Sequence, residues 1–180
     1  MTAYVALLRA VNVAGKNRIR MGELRKALAA NGFENVTTVL QSGNVLLDSS
    51  ASEQETAATV RATIVEAFGL EIEVVVRSRT EFTAVARTNP FLGRAEEVEP
   101  STLHVAFLDA QPAVAEVVAL DRDRAPPDAL IVSGREVYLS YPNGSGRSRL
   151  TLDYLERALG RRGTARNWRT VLRLAALLEG

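Results

Sequence analysis

Two stretches of this chain repeat each other. Thr2-Ala-Tyr-Val-Ala-Leu-Leu-Arg-Ala10 and Thr102-Leu-His-Val-Ala-Phe-Leu-Asp-Ala110 agree at Thr, Val, Ala, Leu and Ala, at an offset of 100. Ser42-Gly43 then matches Ser133-Gly134, and Ala67-Phe-Gly69 matches Ala158-Leu-Gly160, both at an offset of 91. The first copy thus carries about nine extra residues between its opening strand and its hairpin, and the polar stretch Asn12 to Arg20 accommodates them. A repeat constrains architecture before local propensity does: what the first half folds into, the second should fold into as well.

The local pattern of the first half is readable in the same terms. Tyr4 to Leu8 is an apolar run of buried-strand type. Met21, Leu24 and Leu28 have helical spacing, and Asn31-Gly32 is a stop signal. Val36 to Leu40 and Val45 to Leu47 are β-prone runs joined through Ser42-Gly43. Ser52-Glu-Gln-Glu55 is a capping box opening a helix whose Val60, Ile64 and Phe68 share a face, with Gly69 at its end. Ile72, Val74 and Val76 alternate with Glu71 and Glu73, as a half-exposed strand would.

The second half follows: a strand over Thr102 to Leu108, a helix over Ala113 to Leu120, a Pro-rich loop over Asp121 to Asp128. A hairpin through Ser133-Gly134 comes next, then a helix capped by Ser148 and running to Leu159. The offset assigns Arg162 to Asn167 to the fourth strand, although its composition suits a strand poorly. Helices around Thr80 to Arg87 and Trp168 to Leu178 answer each other, and Asn89-Pro90 with Glu96 to Pro100 marks the connection. The expected fold is α+β: two tandem ferredoxin-like (βαββαβ-type) units packed together, residues 1–78 and 79–180, the second lacking a clear fourth strand.

Composition removes several chemistries. The chain has no Cys, so disulfides, thiolate catalysis and Cys-based metal sites are excluded. A single His, His104, rules out His-pair metal sites and alternates with Leu103 and Val105 as a structural strand residue would. No metal, no cofactor and no catalytic residue is assigned. With 22 basic and 21 acidic residues there is no global field to steer nucleic acid or membrane. Arg147 to Arg173 is locally basic, eight Arg against Asp153 and Glu156. No apolar run approaches the ~20 residues of a membrane span, and no basic and apolar leader opens the chain, which predicts a soluble cytoplasmic protein.

Four polar islands remain. Arg9, Asn12, Lys16 and Asn17, with Gly15, Arg18 and Arg20, precede a helix, where backbone N–H groups and cations can hold an anion. This is not a Walker A loop, because Asn17 follows Gly15-Lys16 where Ser or Thr is required. Gln41, Ser42 and Asn44 flank the first hairpin turn; turn geometry explains Gly43 but not Gln41, whose counterpart is Val132. Arg147 and Arg149 close a Gly-rich segment, Asn143 to Arg149, expected at a helix start. Arg166 and Asn167 adjoin Trp168, the only Trp, which either stacks on a base or anchors the last helix.

Tyr4-x-Ala-Leu-Leu-Arg9 with Asn12-Val13, Gly15, Asn17 and Met21 resembles the opening of a bacterial family, as do Gln41-Ser-Gly-Asn-Val45, Asn89-Pro-Phe91, Ser148-Arg-Leu150 and Thr164-x-Arg-Asn-Trp168. It is the domain-of-unknown-function family numbered 1697. The resemblance spans essentially the whole chain and implies tandem ferredoxin-like units but no activity. This chain departs from the pattern at Ala10 and Ala14, where Gly is expected, and at Arg169, where Asn is usual.

The functional expectation is a small anionic ligand containing phosphate, nucleotide or carboxylate, held by Arg9, Asn12, Lys16, Asn17, Gln41, Ser42 and Asn44. Arg147, Arg149, Arg166 and Asn167 are its candidates in the second half. Catalysis and oligomeric state stay open. The alternatives are an RNA-binding module, which needs aromatics on the central strands, and an interaction module without ligand.

Overall fold

The structure, a computed structural model, describes residues 1–93 and 98–180. Glu96 and Glu97 of the expected connection lie outside the described residues. The fold is mixed α+β, with six helices and two four-stranded antiparallel sheets among the described residues. The chain divides into two compact units, Met1–Ala84 with Leu174–Gly180, and Val85–Arg173.

The first unit runs β1 (Thr2–Leu8), α1 (Met21–Ala30), β2 (Glu34–Val39), β3 (Asn44–Ser49), α2 (Glu53–Phe68) and β4 (Val74–Ser78), then enters α3 (Arg79–Arg87). Its sheet has the order β2-β3-β1-β4. Tyr4, Ala6 and Leu8 of β1 share a core with Val45, Leu47, Val74 and Val76, and with Leu24 and Leu28 of α1 and Val60 and Ile64 of α2. The capping box forms as its sequence requires: Glu55 N donates to Ser52 Oγ at 3.3 Å and Ser52 N to Glu55 Oε2 at 2.9 Å. The Ser52 hydroxyl and backbone hold the Glu55 carboxyl below the usual carboxylate range. Gly69 ends α2 in the left-handed conformation at φ 65°.

The second unit runs β5 (Leu103–Leu108), α4 (Val114–Val118), β6 (Ala129–Ser133), β7 (Glu136–Ser140), α5 (Leu152–Leu159) and β8 (Gly163–Asn167), then enters α6 (Trp168–Glu179). The strand order β6-β7-β5-β8 repeats that of the first sheet. The registers correspond as well. Val5 faces Leu46 and Arg77, and Val105 faces Tyr138 and Arg166.

Three expectations need correction. The second sheet does have a full fourth strand, because β8 pairs with β5 from His104↔Asn167 to Leu108↔Gly163. Composition misleads there because strand propensity reports packing context: Gly163 is required, since a Cβ would stand 2.6 Å from the Phe107 carbonyl oxygen, and Arg166 is buried rather than solvated. Ser148 does not cap α5. Thr151 does, accepting from Tyr154 N at 3.1 Å, while Ser148 Oγ closes a local turn by accepting from Leu150 N at 3.0 Å. Finally, β4 begins only at Val74 and is buried on both faces from Val74 to Arg77, so the Glu71/Glu73 alternation belongs to the approach to the strand.

Candidate functional site

The two units differ in length where β1 leads into α1. Residues 9–20 make this connection in the first unit, whereas residues 109–113 suffice between β5 and α4. The longer connection is a structured loop. Asn12 N donates to Asn17 O at 3.1 Å and Lys16 N to Val13 O at 2.9 Å, with Val13 and Lys16 in an isolated antiparallel bridge. Val11 and Ile19 are buried and moor its two ends in the core.

The loop carries a run of left-handed backbone: Ala10 (φ 52°), Asn12 (54°), Ala14 (50°), Gly15 (75°) and Asn17 (48°). Asn tolerates this region, but a Cβ there costs an Ala residue about 1 kcal/mol. Ala10 and Ala14 are the two positions where the resemblance leads to an expectation of Gly, and their left-handed backbone is a conformation that Gly adopts freely.

Asn12 is the clamp. Its Nδ2 donates to Ile19 O at 3.0 Å and to Gln41 O at 2.8 Å, and its Oδ1 accepts from Ile19 N at 2.9 Å. These bonds tie the loop to itself and to the turn between β2 and β3, so the first two polar islands meet. Asn17 Nδ2 adds a bond to Ala10 O at 3.1 Å. Gly43 seals the same junction: its carbonyl accepts from Leu8 N at 2.8 Å, and a Cβ at φ 82° would stand 2.8 Å from Leu8 Cβ. Asn44 is fully buried, donating to Val39 O at 2.9 Å and to Ser42 Oγ at 3.1 Å.

Loop and turn enclose a cleft of about 630 Å³ lined by Asn12, Gly15, Arg18, Ile19, Arg20, Glu23, Gln41 and Phe68. That volume lies within the range of small-molecule sites. The Arg18 guanidinium lies over Gly15, whose Cβ position is 3.7 Å from Nη2. Arg20 is engaged with Glu23 at 3.5 Å across the first turn of α1. Arg18 and Lys16 are exposed and form no ion pair among the described residues. Arg9 lies at the head of the connection, its backbone N bonded to Glu73 O at 2.9 Å. Of the lining, only Asn12 and Gln41 are site candidates from the sequence; Arg18 and Phe68 are among the residues left out. Arg18 stood inside the first island, while Phe68 reads as core because it shares a helix face with Val60 and Ile64.

The candidates of the second unit are dispersed. Arg147 and Arg149 are exposed on the segment before Thr151, and Arg149 offers its carbonyl to Arg124 Nε at 2.9 Å. The Arg124 guanidinium stacks 4.1 Å above the Tyr154 ring. Arg166 is internal: Nη1 donates to Thr164 Oγ1 at 2.7 Å and to Ala165 O at 2.8 Å, and burial lowers its pKa to about 10. Arg77 repeats the arrangement in the first unit, buried and donating from Nη1 to Val76 O at 2.9 Å. Asn167 works as a helix start, accepting from Arg169 N at 2.9 Å and donating to Ser101 O at 3.2 Å. Trp168 is buried and anchors α6.

A smaller cavity of about 210 Å³ in the second unit is lined by His104, Ala106, Leu139, Tyr141, Ser145 and Leu155, among others. His104 meets Tyr141 edge to face at 5.2 Å. Burial pushes the imidazole pKa down, an effect the Thr102 carbonyl partly offsets, and its Nδ1 is buried without a hydrogen-bond partner. Tyr141 donates to Leu150 O at 2.7 Å, and burial with the Asp128 charge raises its phenol to about 12.

Comparison with known proteins agrees with the fold. The model of the family described as Protein of unknown function (DUF1697) matches residues 1–138. A conserved bacterial protein from Streptococcus pneumoniae is similar in structure at a TM-score of 0.78 and 21% sequence identity, over 100% of this chain and 99% of its own. At that identity the likeness concerns the fold. No curated protein matches the sequence. No helix among the described residues is long and apolar enough to cross a membrane.

Proposed function

The chain belongs to the DUF1697 family of proteins of unknown function, and we propose that its first unit binds a small anionic ligand in the cleft between the 9–20 connection and the β2–β3 turn. One observation carries this reading: a cleft of ligand size contains Arg18, which has no ion-pair partner among the described residues, beside the equally unpaired Lys16. A guanidinium in a concave site whose one carboxylate, Glu23, is paired with Arg20 instead is suited to a phosphate or carboxylate, which it grips with two parallel N–H donors. The Asn12 clamp gives the loop one conformation before ligand arrives, which lowers the entropy cost of binding. Asn12, Asn17 and Asn44 thereby build the site, and Lys16, Arg18 and Gln41 are the groups that meet the ligand.

The architecture supporting this site is read as two tandem ferredoxin-like units, on the strength of the shared strand order and corresponding registers. Such sheets often bind RNA by stacking bases on their central strands. In this chain Tyr4, Val5, Leu7, Val45, Leu46 and Leu47 are all buried, on both faces of β1 and β3. That burial favours a small ligand in the cleft over RNA on the sheet. Location in the cytoplasm is part of the same proposal.

Thermal-shift screening against anionic metabolites tests the reading. A ligand present at 100 times its Kd stabilises the protein by about 2.7 kcal/mol, which for a chain of this size raises Tm by roughly 5–10 °C. The shift is expected in the wild type and lost in Arg18→Ala. Retention of the full shift in Arg18→Ala and in Lys16→Ala would locate the ligand elsewhere.

A further inference from the structure

The composition of the cleft narrows the ligand beyond "an anion", and this step rests on the reading just given. Three of its features have different chemistry. Arg18 is a cation without an ion pair among the described residues, whereas Arg20 is matched by Glu23 at 3.5 Å. The lining therefore holds one uncompensated positive charge, with the unpaired Lys16 beside it, and together they suit one phosphate group with its roughly one to two negative charges. A ligand with two or three phosphates would set its further charges beside the Glu23 carboxylate, where like charges repel.

Phe68 is the second feature. It is the last residue of α2, packed against the core on one side and only half-buried, and its ring forms part of the cleft lining. Ile64 and Val60, one and two turns earlier on the same helix face, are fully buried. Gly69 ends the helix directly after it in the left-handed conformation, so no further residue of α2 lies over the ring. A phenyl ring in the lining, with Ile19 as its other apolar side chain, gains free energy by covering apolar surface, and it stacks on planar rings. An ion such as free phosphate uses none of this.

Gln41 is the third. Its backbone carbonyl is held by Asn12 Nδ2, which fixes the residue at the lip of the cleft, and its side-chain amide is exposed. An amide offers one acceptor and two donors, the set that reads a paired donor and acceptor on the edge of a heterocycle.

We propose that the ligand is an organic phosphate monoester bearing a planar ring, of the aryl phosphate or nucleoside monophosphate class. The phosphate meets Arg18, the ring lies on Phe68, and the Gln41 amide meets the ring edge when the ring carries hydrogen-bonding groups. Binding alone is inferred, with no bond made or broken.

The test is isothermal titration of the full-length chain with four probes: inorganic phosphate, ribose 5-phosphate, phenyl phosphate and adenosine 5′-monophosphate. The two ring-bearing esters should bind at least tenfold more tightly than inorganic phosphate, with ribose 5-phosphate close to phosphate itself. Phe68→Leu keeps the packing against the core but removes the ring, and should erase that tenfold preference without weakening phosphate. Phe68→Ala should do the same if it folds. Arg18→Ala should weaken all four probes together. If ring-bearing esters bind no tighter than phosphate, or Phe68→Leu leaves their preference intact, the ring inference is overturned while the anion reading stands. If none of the probes binds, or Arg18→Ala changes nothing, the anion reading falls as well.

Discussion

Replacing Asn12 by Ala tests whether the 9–20 connection is a built element or a loose loop. The substitution removes three hydrogen bonds: Nδ2 to Ile19 O at 3.0 Å, Nδ2 to Gln41 O at 2.8 Å, and Ile19 N to Oδ1 at 2.9 Å. The two with Ile19 are partly buried and contribute about 1 kcal/mol each; the exposed one with Gln41 contributes about half that, because water replaces it readily. Ala must also adopt φ 54°, which Asn tolerates better, for a further ~0.5 kcal/mol. The expected loss is about 3 kcal/mol. Asn12→Gly loses the same bonds but is at ease at positive φ, so it should cost about 2.5 kcal/mol. Urea unfolding followed by far-UV circular dichroism measures both, with unchanged slope as the sign that only stability has moved. Amide exchange supplies a local readout: the Ile19 N–H loses its acceptor and should exchange faster than the strand amides. A loss below about 1 kcal/mol with Ile19 still protected would refute the clamp. So would Gly proving worse than Ala.

Three further outcomes follow from the same physics. Ala10→Gly and Ala14→Gly relieve left-handed backbone and should each stabilise the protein by about 0.5–1 kcal/mol in urea unfolding; destabilisation by either would contradict the strain argument. Gly43→Ala and Gly32→Ala both place a Cβ at positive φ (82° and 88°), but only at Gly43 does it meet an atom, Leu8 Cβ at 2.8 Å. Gly43→Ala should therefore cost about 2–4 kcal/mol and Gly32→Ala about 1, and equal losses would exclude the close approach. His104 titrates below its unfolded value, so the unfolded chain binds the proton first as pH falls. Its contribution to stability is intact above about pH 6.5 and is lost as pH falls from there through the folded pKa. His104→Phe should flatten that part of the stability–pH curve, and an unchanged slope would mean that His104 titrates alike in the folded and unfolded states.

What could be read from the sequence was local. The Ser52 capping box, the Gly69 stop and the two hairpins are each set by residues a few positions apart, and the repeat carried the reading of the first half over to the second. What depended on distant neighbours was illegible. Arg166 on β8 looks like a solvated charge until Thr164 and the Ala165 carbonyl are seen to hold its guanidinium inside. Thr151 and Ser148 are equally good caps by type, and only the point where α5 starts decides between them. At the candidate site, the extra length of the first connection drew attention to the loop that lines the cleft, while the bonds its residues make were not legible. Asn12 and Asn44 stand in the sequence as ligand candidates, and only the fold shows that their amides bond to backbone carbonyls brought close by folding. Phe68 looked like core because its helical spacing fits the core face, and nothing in the sequence tells that its ring reaches the cleft.

The central claim is that the cleft of the first unit is where an anion binds, and chemical-shift mapping tests its location. Isotope-labelled protein titrated with phenyl phosphate should show saturable amide shifts at Gly15, Arg18, Gln41 and Ser42, with the Arg18 side-chain Nε–H among them. The same titration of Arg18→Ala should leave these signals in place. Shifts confined to the exposed Arg147 and Arg149 segment, or a linear drift across all surface amides without saturation, would contradict it.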